Sequence, residues 1–227
     1  MLAVGDNGMA QLGLKTAIIQ RQNPQPIPLP ELTVQIAAGP LHSVCLTEKN
    51  QVFTFGCNDE HALGRKDNDD EDDDDADQFG LVDMSSVMDV SQEKIIQVVA
   101  GDSHTIVLSD AGKVYGKSRC RRAEWSLHAC FLGWGTFRST TTGVYGLVQK
   151  GVMAKTPVEM TVPERIVKLA SGYDFVLFLS ETGRVYSCGN GETGQLARLN
   201  RYAAEDGLRG GIGRIEASLC LSMVDAL

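Results

Sequence analysis

Apolar residues in this chain recur in short alternating bursts and show no helical period. Val34, Ile36 and Ala38 alternate, as do Val44 and Leu46, and Val52, Phe53 and Phe55 follow; the pattern resumes over Ile96–Leu108 and Val167–Leu179. β-Branched and aromatic residues at period two, bounded by Gly, Asn and Asp turns, predict strands. The bursts sit inside one repeated phrase: Ala-Gly-x-x-His, a short apolar run, Gly/Asn-x-Val-Phe/Tyr, then Gly-x-Asn. It fills Ala38–Asn58, begins again at Ala100–Tyr115 and returns in altered form at Ser171–Asn190, while a fragment, Val4–Leu14, opens the chain. Such a period means one supersecondary unit used several times.

The Ala-Gly pair suits a place where neighbouring backbones crowd, because glycine imposes no side chain. Its glycines, Gly39, Gly101 and Gly172, stand 62 and 71 residues apart. Propeller blades are four antiparallel strands in about 40–50 residues, so these gaps fit blades carrying extra loops. The expected fold is all-β, a β-propeller of this repeat type. The units run approximately over 1–33 as a fragment, then 34–94, 95–165 and 166–215. Seven such blades would need about 350 residues. With 227 residues, the expectation is an incomplete propeller of three to four blades.

The net charge of −8 changes less than it suggests, because nine acidic residues lie between Asp67 and Asp77 and the remainder sums to +1. A block of like charges repels itself, so residues 66–78 are expected as a solvated surface loop. Calcium is the sharper alternative, but the EF-hand spacing with its Gly and closing Glu is missing. The six cysteines are scattered without a CxxC pair, which fits an intracellular protein rather than a secreted disulfide framework. The start enters the repeat without a basic and apolar leader. No apolar run approaches membrane-spanning length.

Catalytic motifs fail on inspection. Gly189–Gly194 matches GxGxxG after a strand, yet the same turn recurs at Gly56 and Gly5, and no helical period follows to hold a pyrophosphate. No phosphate loop, HExxH or GxSxG occurs, which leaves hydrolase and kinase readings without an anchor. Cys120, His128 and Cys130 lack a fourth ligand and metal-site spacing.

Residues that recur at a repeat position are expected to be structural, and residues that break it are candidates for function. His42 and His104 both stand three after the repeat glycine, where the third copy has Phe175. A ring there is first a packing feature, its nitrogens bonded to neighbouring backbone. Asp102 stands where the other copies have Pro40 and Tyr173, and Asp174 where they have Leu41 and Ser103. Carboxylates that break the repeat near the channel end of a blade point to function, beside the plain alternative of an Asp bonding its own turn. Another departure is Phe137–Gly146, a longer polar excursion where the other copies have a short turn.

These phrases, above all Phe55–Glu60, Ala100–His104 and Trp134–Arg138, resemble the regulator of chromosome condensation family, exchange factors for the small GTPase Ran. The resemblance covers nearly the whole chain. It implies a surface for a protein, with no cofactor and no small-molecule substrate of its own. Asp102 and Asp174 align with acidic residues that face Ran. Phe137, Arg138, Ser139, Thr140, Thr141 and Thr142 align with the family's β-wedge, although their tip is less acidic and amidic. The resemblance also puts His42 and Arg198 on the Ran-binding face and Arg209 and Arg214 on a loop that engages the nucleosome acidic patch. It implies a nuclear, chromatin-associated location, with cytoplasm also open, and roles in nucleocytoplasmic transport and mitosis. The competing reading is a non-catalytic propeller that serves as a docking module in a scaffold or ubiquitin ligase.

Two stretches leave the pattern. Residues 117–133 separate Tyr115-Gly116 from Trp134-Gly135, where Tyr-Gly-Trp-Gly is expected, and removing them brings the second glycine spacing to 54. A retained intron or gene-model error is expected, with a genuine basic insertion carrying Arg119, Arg121 and Arg122 as the rival. Residues 216–227 match nothing in the repeat.

Overall fold

The computed structural model describes residues 1–14, 18–58, 62–65, 79–102, 104–116, 134–135, 157–160, 162–173, 175–189 and 222–223. They form fifteen strands and no helix. In chain order these are β1 (Leu2–Asp6), β2 (Gln20–Pro26), β3 (Thr33–Ala38), β4 (His42–Thr47), β5 (Val52–Gly56), β6 (Gly80–Leu81), β7 (Ile95–Ala100) and β8 (His104–Ser109), then β9 (Val114–Gly116), β10 (Trp134–Gly135), β11 (Val158–Met160), β12 (Ile166–Ser171), β13 (Phe175–Ser180), β14 (Val185–Gly189) and β15 (Ser222–Met223). β3 to β6 make one antiparallel four-stranded sheet and β12 to β15 another. Between them β8 pairs with β7 and β9, β9 pairs with β11, and β10 lies on β8 beyond the end of β9. β1 and β2 form a two-stranded sheet. Meandering four-stranded sheets, each stacked against the next, are propeller blades, and the fold is an incomplete β-propeller. Its last strand, β15, comes from within residues 216–227.

The middle strands β4, β5 and β8 are buried on both faces, which explains why they read as apolar runs, whereas β13 is buried at alternate residues only. Val44 and Leu46 of β4 join Val98, Val107 and Tyr115 of the next blade in one core, while Cys45 joins Phe53, Phe55 and Ile27 in another. Ile106, Leu108 and Val114 turn the other way, toward Ile166, Val176 and Phe178. The inner strands behave differently. Ile36 and Val34, apolar positions of the alternating pattern, are 63% and 59% exposed, whereas Val98, at the place of Ile36 in the next blade, is 3% exposed. Val98 is covered because β3 lies against β7; among the described residues no inner strand lies against the other face of β3.

Polar side chains tie the blades together. Gln35 Oε1 accepts the Val98 amide at 2.7 Å. One blade later, Gln97 Oε1 accepts the Leu169 amide at 2.7 Å and its Nε2 donates to the Leu169 carbonyl at 2.8 Å. The side-chain amide thus imitates one more backbone unit between two strands. Asn50, at φ 63, accepts the Ile95 amide at 2.7 Å and donates to the Glu93 carbonyl. At that end of the blades, Tyr115 and Tyr186 donate to Glu93 and Glu164, each at 2.8 Å.

The repeat glycines occupy the tightest point. A Cβ on Gly39 would stand 2.0 Å from the Gly101 carbonyl oxygen, and one on Gly101 would stand 1.9 Å from the His104 ring. We expect Gly39→Ala to cost about 1–3 kcal/mol, the range for forcing atoms into a filled site, seen as a lower urea midpoint. Gly8→Ala, whose Cβ would meet only the Asp6 carboxylate at 3.6 Å, should stay within about 0.5 kcal/mol of the parent.

Candidate functional site

The hairpin between the first and second strands of each blade closes in the same way. Gly39 N–H donates to the His42 carbonyl, Gly101 to His104 and Gly172 to Phe175, at 2.9, 2.9 and 2.8 Å. The described residues inside these hairpins, Pro40, Leu41, Asp102 and Tyr173, stand at positions where the repeat breaks. Successive hairpins touch. Gly39 packs against the Gly101 carbonyl, and the Asp102 amide donates to the Tyr173 carbonyl at 2.9 Å. Three neighbouring hairpins therefore form an arc at one end of the blades. Asp102 is only 7% exposed, and Tyr173 beside it is 57% exposed.

Under this arc lie the two histidines, both fully buried. Their Nε2 atoms meet hydroxyls of the following blade: His42 lies 2.9 Å from Thr105 Oγ1 and His104 2.8 Å from Ser171 Oγ. The repeat period hides this because each partner is a blade away in sequence. Burial drives the His42 pKa down to about 4, with the Asp102 and His104 backbone and the Asp102 carboxylate pulling it partly back. Burial, with the neighbouring His42, takes His104 down to about 3. Both rings are neutral at physiological pH. His42 offers no exposed surface to a partner.

The loop that leaves β5 adjoins the same end. Cys57 N–H donates to the Leu41 carbonyl at 2.9 Å, and Thr105 Oγ1 donates to the Ala62 carbonyl at 3.2 Å. The loop is folded on its asparagine: Asn58 Oδ1 accepts the Leu63 amide, as Asn7 Oδ1 accepts the Leu12 amide in the opening fragment. Gly135 pairs with His104 as Gly56 pairs with His42. Gly135 therefore lies at the arc end of β8, opposite His104.

Asp174, Phe137, Arg138, Ser139, Thr140, Thr141, Thr142, Arg198, Arg209 and Arg214 lie outside the described residues, as do 66–78 and 117–133. No group of His, Cys, Asp and Glu among the described residues is arranged to hold a metal. The inter-blade side chains Gln35, Gln97 and Asn50 and the Glu93–Tyr115 and Glu164–Tyr186 pairs escape a reading based on apolar period. The recurrence of Glu-Lys/Arg-Ile at Glu93 and Glu164 was the available signal.

Residues 49–108 and 166–195 match the regulator of chromosome condensation (RCC1) repeat. The chain therefore carries repeats of that type. It is 38% identical over 222 residues to the mouse regulator of chromosome condensation, covering 97% of this chain and 46% of that protein. It is 31% identical over 222 residues to the guanine nucleotide exchange factor SRM1 of Saccharomyces cerevisiae, covering 86% of this chain and 42% of SRM1. The crystal structure of Prp20p from Saccharomyces cerevisiae, a protein described with binding properties to Gsp1p and histones, superposes with a TM-score of 0.66 at 27% identity, over 87% of this chain and 43% of that one. The chain thus spans less than half the length of these relatives. The RCC1 repeat over 49–108 runs from β5 through β8, so one repeat supplies the outer strands of one blade and the inner strands of the next. That offset knits neighbouring blades together covalently.

Buried neutral histidines make stability depend on pH in a defined direction. The unfolded chain takes up protons near pH 6.5 while the folded chain resists until about pH 4 for His42 and about pH 3 for His104. Their contribution is complete above pH 6.5 and falls as pH drops below it, by up to about 1.4 kcal/mol per pH unit for each ring. Melting temperatures measured from pH 7.5 down to 5 should decline. His104→Phe, which installs the residue of the third copy, should make that decline shallower.

Proposed function

We propose that this chain forms part of a guanine-nucleotide exchange factor for the small GTPase Ran, with the hairpin arc as its docking face. The observation that carries the reading is that Gly135, which residues 137–142 follow in the sequence, pairs with His104 at the blade end that also holds the Asp102 hairpin. Similarity to SRM1, named as an exchange factor, and to Prp20p supports it. The activity involves no covalent chemistry. A GTPase holds its nucleotide through backbone contacts to the phosphates and through Mg²⁺, so a polar wedge that displaces those contacts destabilises the bound state. The exchanger stabilises the nucleotide-free GTPase and then yields to incoming nucleotide, and the coupling is reciprocal.

In this scheme Asp102 and Asp174 hold basic or amide groups of Ran. Phe137, Arg138 and the hydroxyls of Ser139, Thr140, Thr141 and Thr142 form the wedge, and Arg198 borders it. The buried ring of His42 supports the arc from beneath. Arg209 and Arg214 would meet the carboxylates of a nucleosome, a pairing that suits the arginine fork, and would tie the protein to chromatin in the nucleus.

Release of a fluorescent guanine nucleotide from Ran tests the reading, in a propeller closed by joining this chain to the remaining blades of the mouse relative. Asp174→Ala or Asp102→Ala should slow release about tenfold or more, since a hydrogen bond to a charged group contributes about 1.5–3 kcal/mol. His104→Ala should act on melting temperature instead. Equal melting losses in both Asp variants, with release per folded molecule unchanged, would return the carboxylates to a structural role. Arg209→Ala with Arg214→Ala should weaken nucleosome binding and leave release from Ran intact. Tight binding by that double variant across a salt series would make those arginines solvated surface.

A further inference from the structure

The third strand of the middle blade comes in two pieces. β9 sets Val114 and Tyr115 opposite Leu108 and Val107, and β10 sets Trp134 and Gly135 opposite Thr105 and His104. On β8 one residue, Ile106, separates the two paired stretches. On the other side one residue, Gly116, would separate them if the chain passed straight from Gly116 to Trp134. The order Val114-Tyr115-Gly116-Trp134-Gly135 would then face Leu108 back to His104 with no gap and no bulge.

The flanking blades carry that same five-residue ladder. Val52 to Gly56 face Leu46 back to His42, and Val185 to Gly189 face Leu179 back to Phe175. Gly135 thus takes the place of Gly56 and Gly189, and Trp134 that of Phe55 and Cys188. Two independent strand segments have no covalent reason to meet a partner in the register of a single unbroken strand. A slip of one residue would turn every side chain to the opposite face.

We infer that β9 and β10 are the halves of one strand into which residues 117–133 have been inserted, and that the chain joined directly from Gly116 to Trp134 is the form that holds the segment after Gly135 in working position. The second half of this inference rests on the exchange reading above. Its physical basis is tethering. Val114 and Tyr115 are fully buried, so a peptide bond one residue further on fixes where Trp134 and Gly135 lie. Seventeen further residues lengthen that connection in the sequence, and closing a longer connection costs more entropy.

The test deletes 117–133 from the full chain and compares it with the parent and with a third chain carrying those residues in shuffled order. The deletion should melt cooperatively and several degrees higher, with slower amide exchange along β8 and β10, and the shuffled chain should match the parent. A deletion that fails to fold, or that melts no higher than the parent, overturns the inference. So does a shuffled chain that melts well below the parent, because the segment would then make sequence-specific contacts. Nucleotide release from Ran by the closed propeller, with and without the segment, separates the two claims. Faster release without it supports the positioning role, and equal non-zero rates overturn that role. A raised melting temperature with no release from either form counts for the insertion and against the exchange reading.

Discussion

The Gly101 carbonyl oxygen stands where a side chain on residue 39 would have to be, and that contact sets the distance between the inner strands of two blades. At that distance Gln35 reaches the Val98 amide, and Gln97 reaches both backbone groups of Leu169. The ring three residues after each glycine can then cover it, as His104 covers Gly101 and Phe175 covers Gly172. A wider spacing would break the amide clamps, expose the rings and leave buried backbone groups without partners, each at a cost of about 1–3 kcal/mol. The glycine is therefore the condition on which the polar joints between blades depend.

The same spacing builds the proposed docking face. Because the hairpin of each blade rests on the next, through Gly39 against Gly101 and Asp102 against Tyr173, the arc is a stack of mutually supported turns. Residues inside the turns can change without disturbing the support, since the glycine and the ring carry it. This accounts for the freedom of the chain to place Pro, Asp or Tyr after the glycine. A rigid arc also loses little conformational freedom on binding, which favours affinity for a protein partner.

The two ends of the blades are electrically different. At the arc end two neutral imidazoles lie buried and paired with hydroxyls, with the Asp102 carboxylate nearby. At the far end each blade closes on a carboxylate: Glu164 receives Thr182, Tyr186 and Arg184, which together hold its pKa down to about 2. That carboxylate is at the surface, so solvent screens much of its pairing. The buried rings have no such relief, and through them the fold depends on pH.

Period-two apolar bursts and the Ala-Gly-x-x-His phrase determined, without any coordinates, that the chain is all-β and built of one repeated unit, because strand alternation and glycine crowding are local in sequence. They also marked where the repeat breaks, which is how Asp102 was singled out. What they left open was which face of each strand meets which neighbour. Val34 and Ile36 belong to the alternating apolar pattern but stand exposed, while the intervening Gln35 turns to the next blade, since coverage of an inner strand is decided by a separate blade. The partners of His42 and His104, both hydroxyls more than sixty residues away, could not be read from a local phrase. Nor could the ladder shared by β9 and β10, because only the common partner strand β8 brings Gly116 and Trp134 into one register.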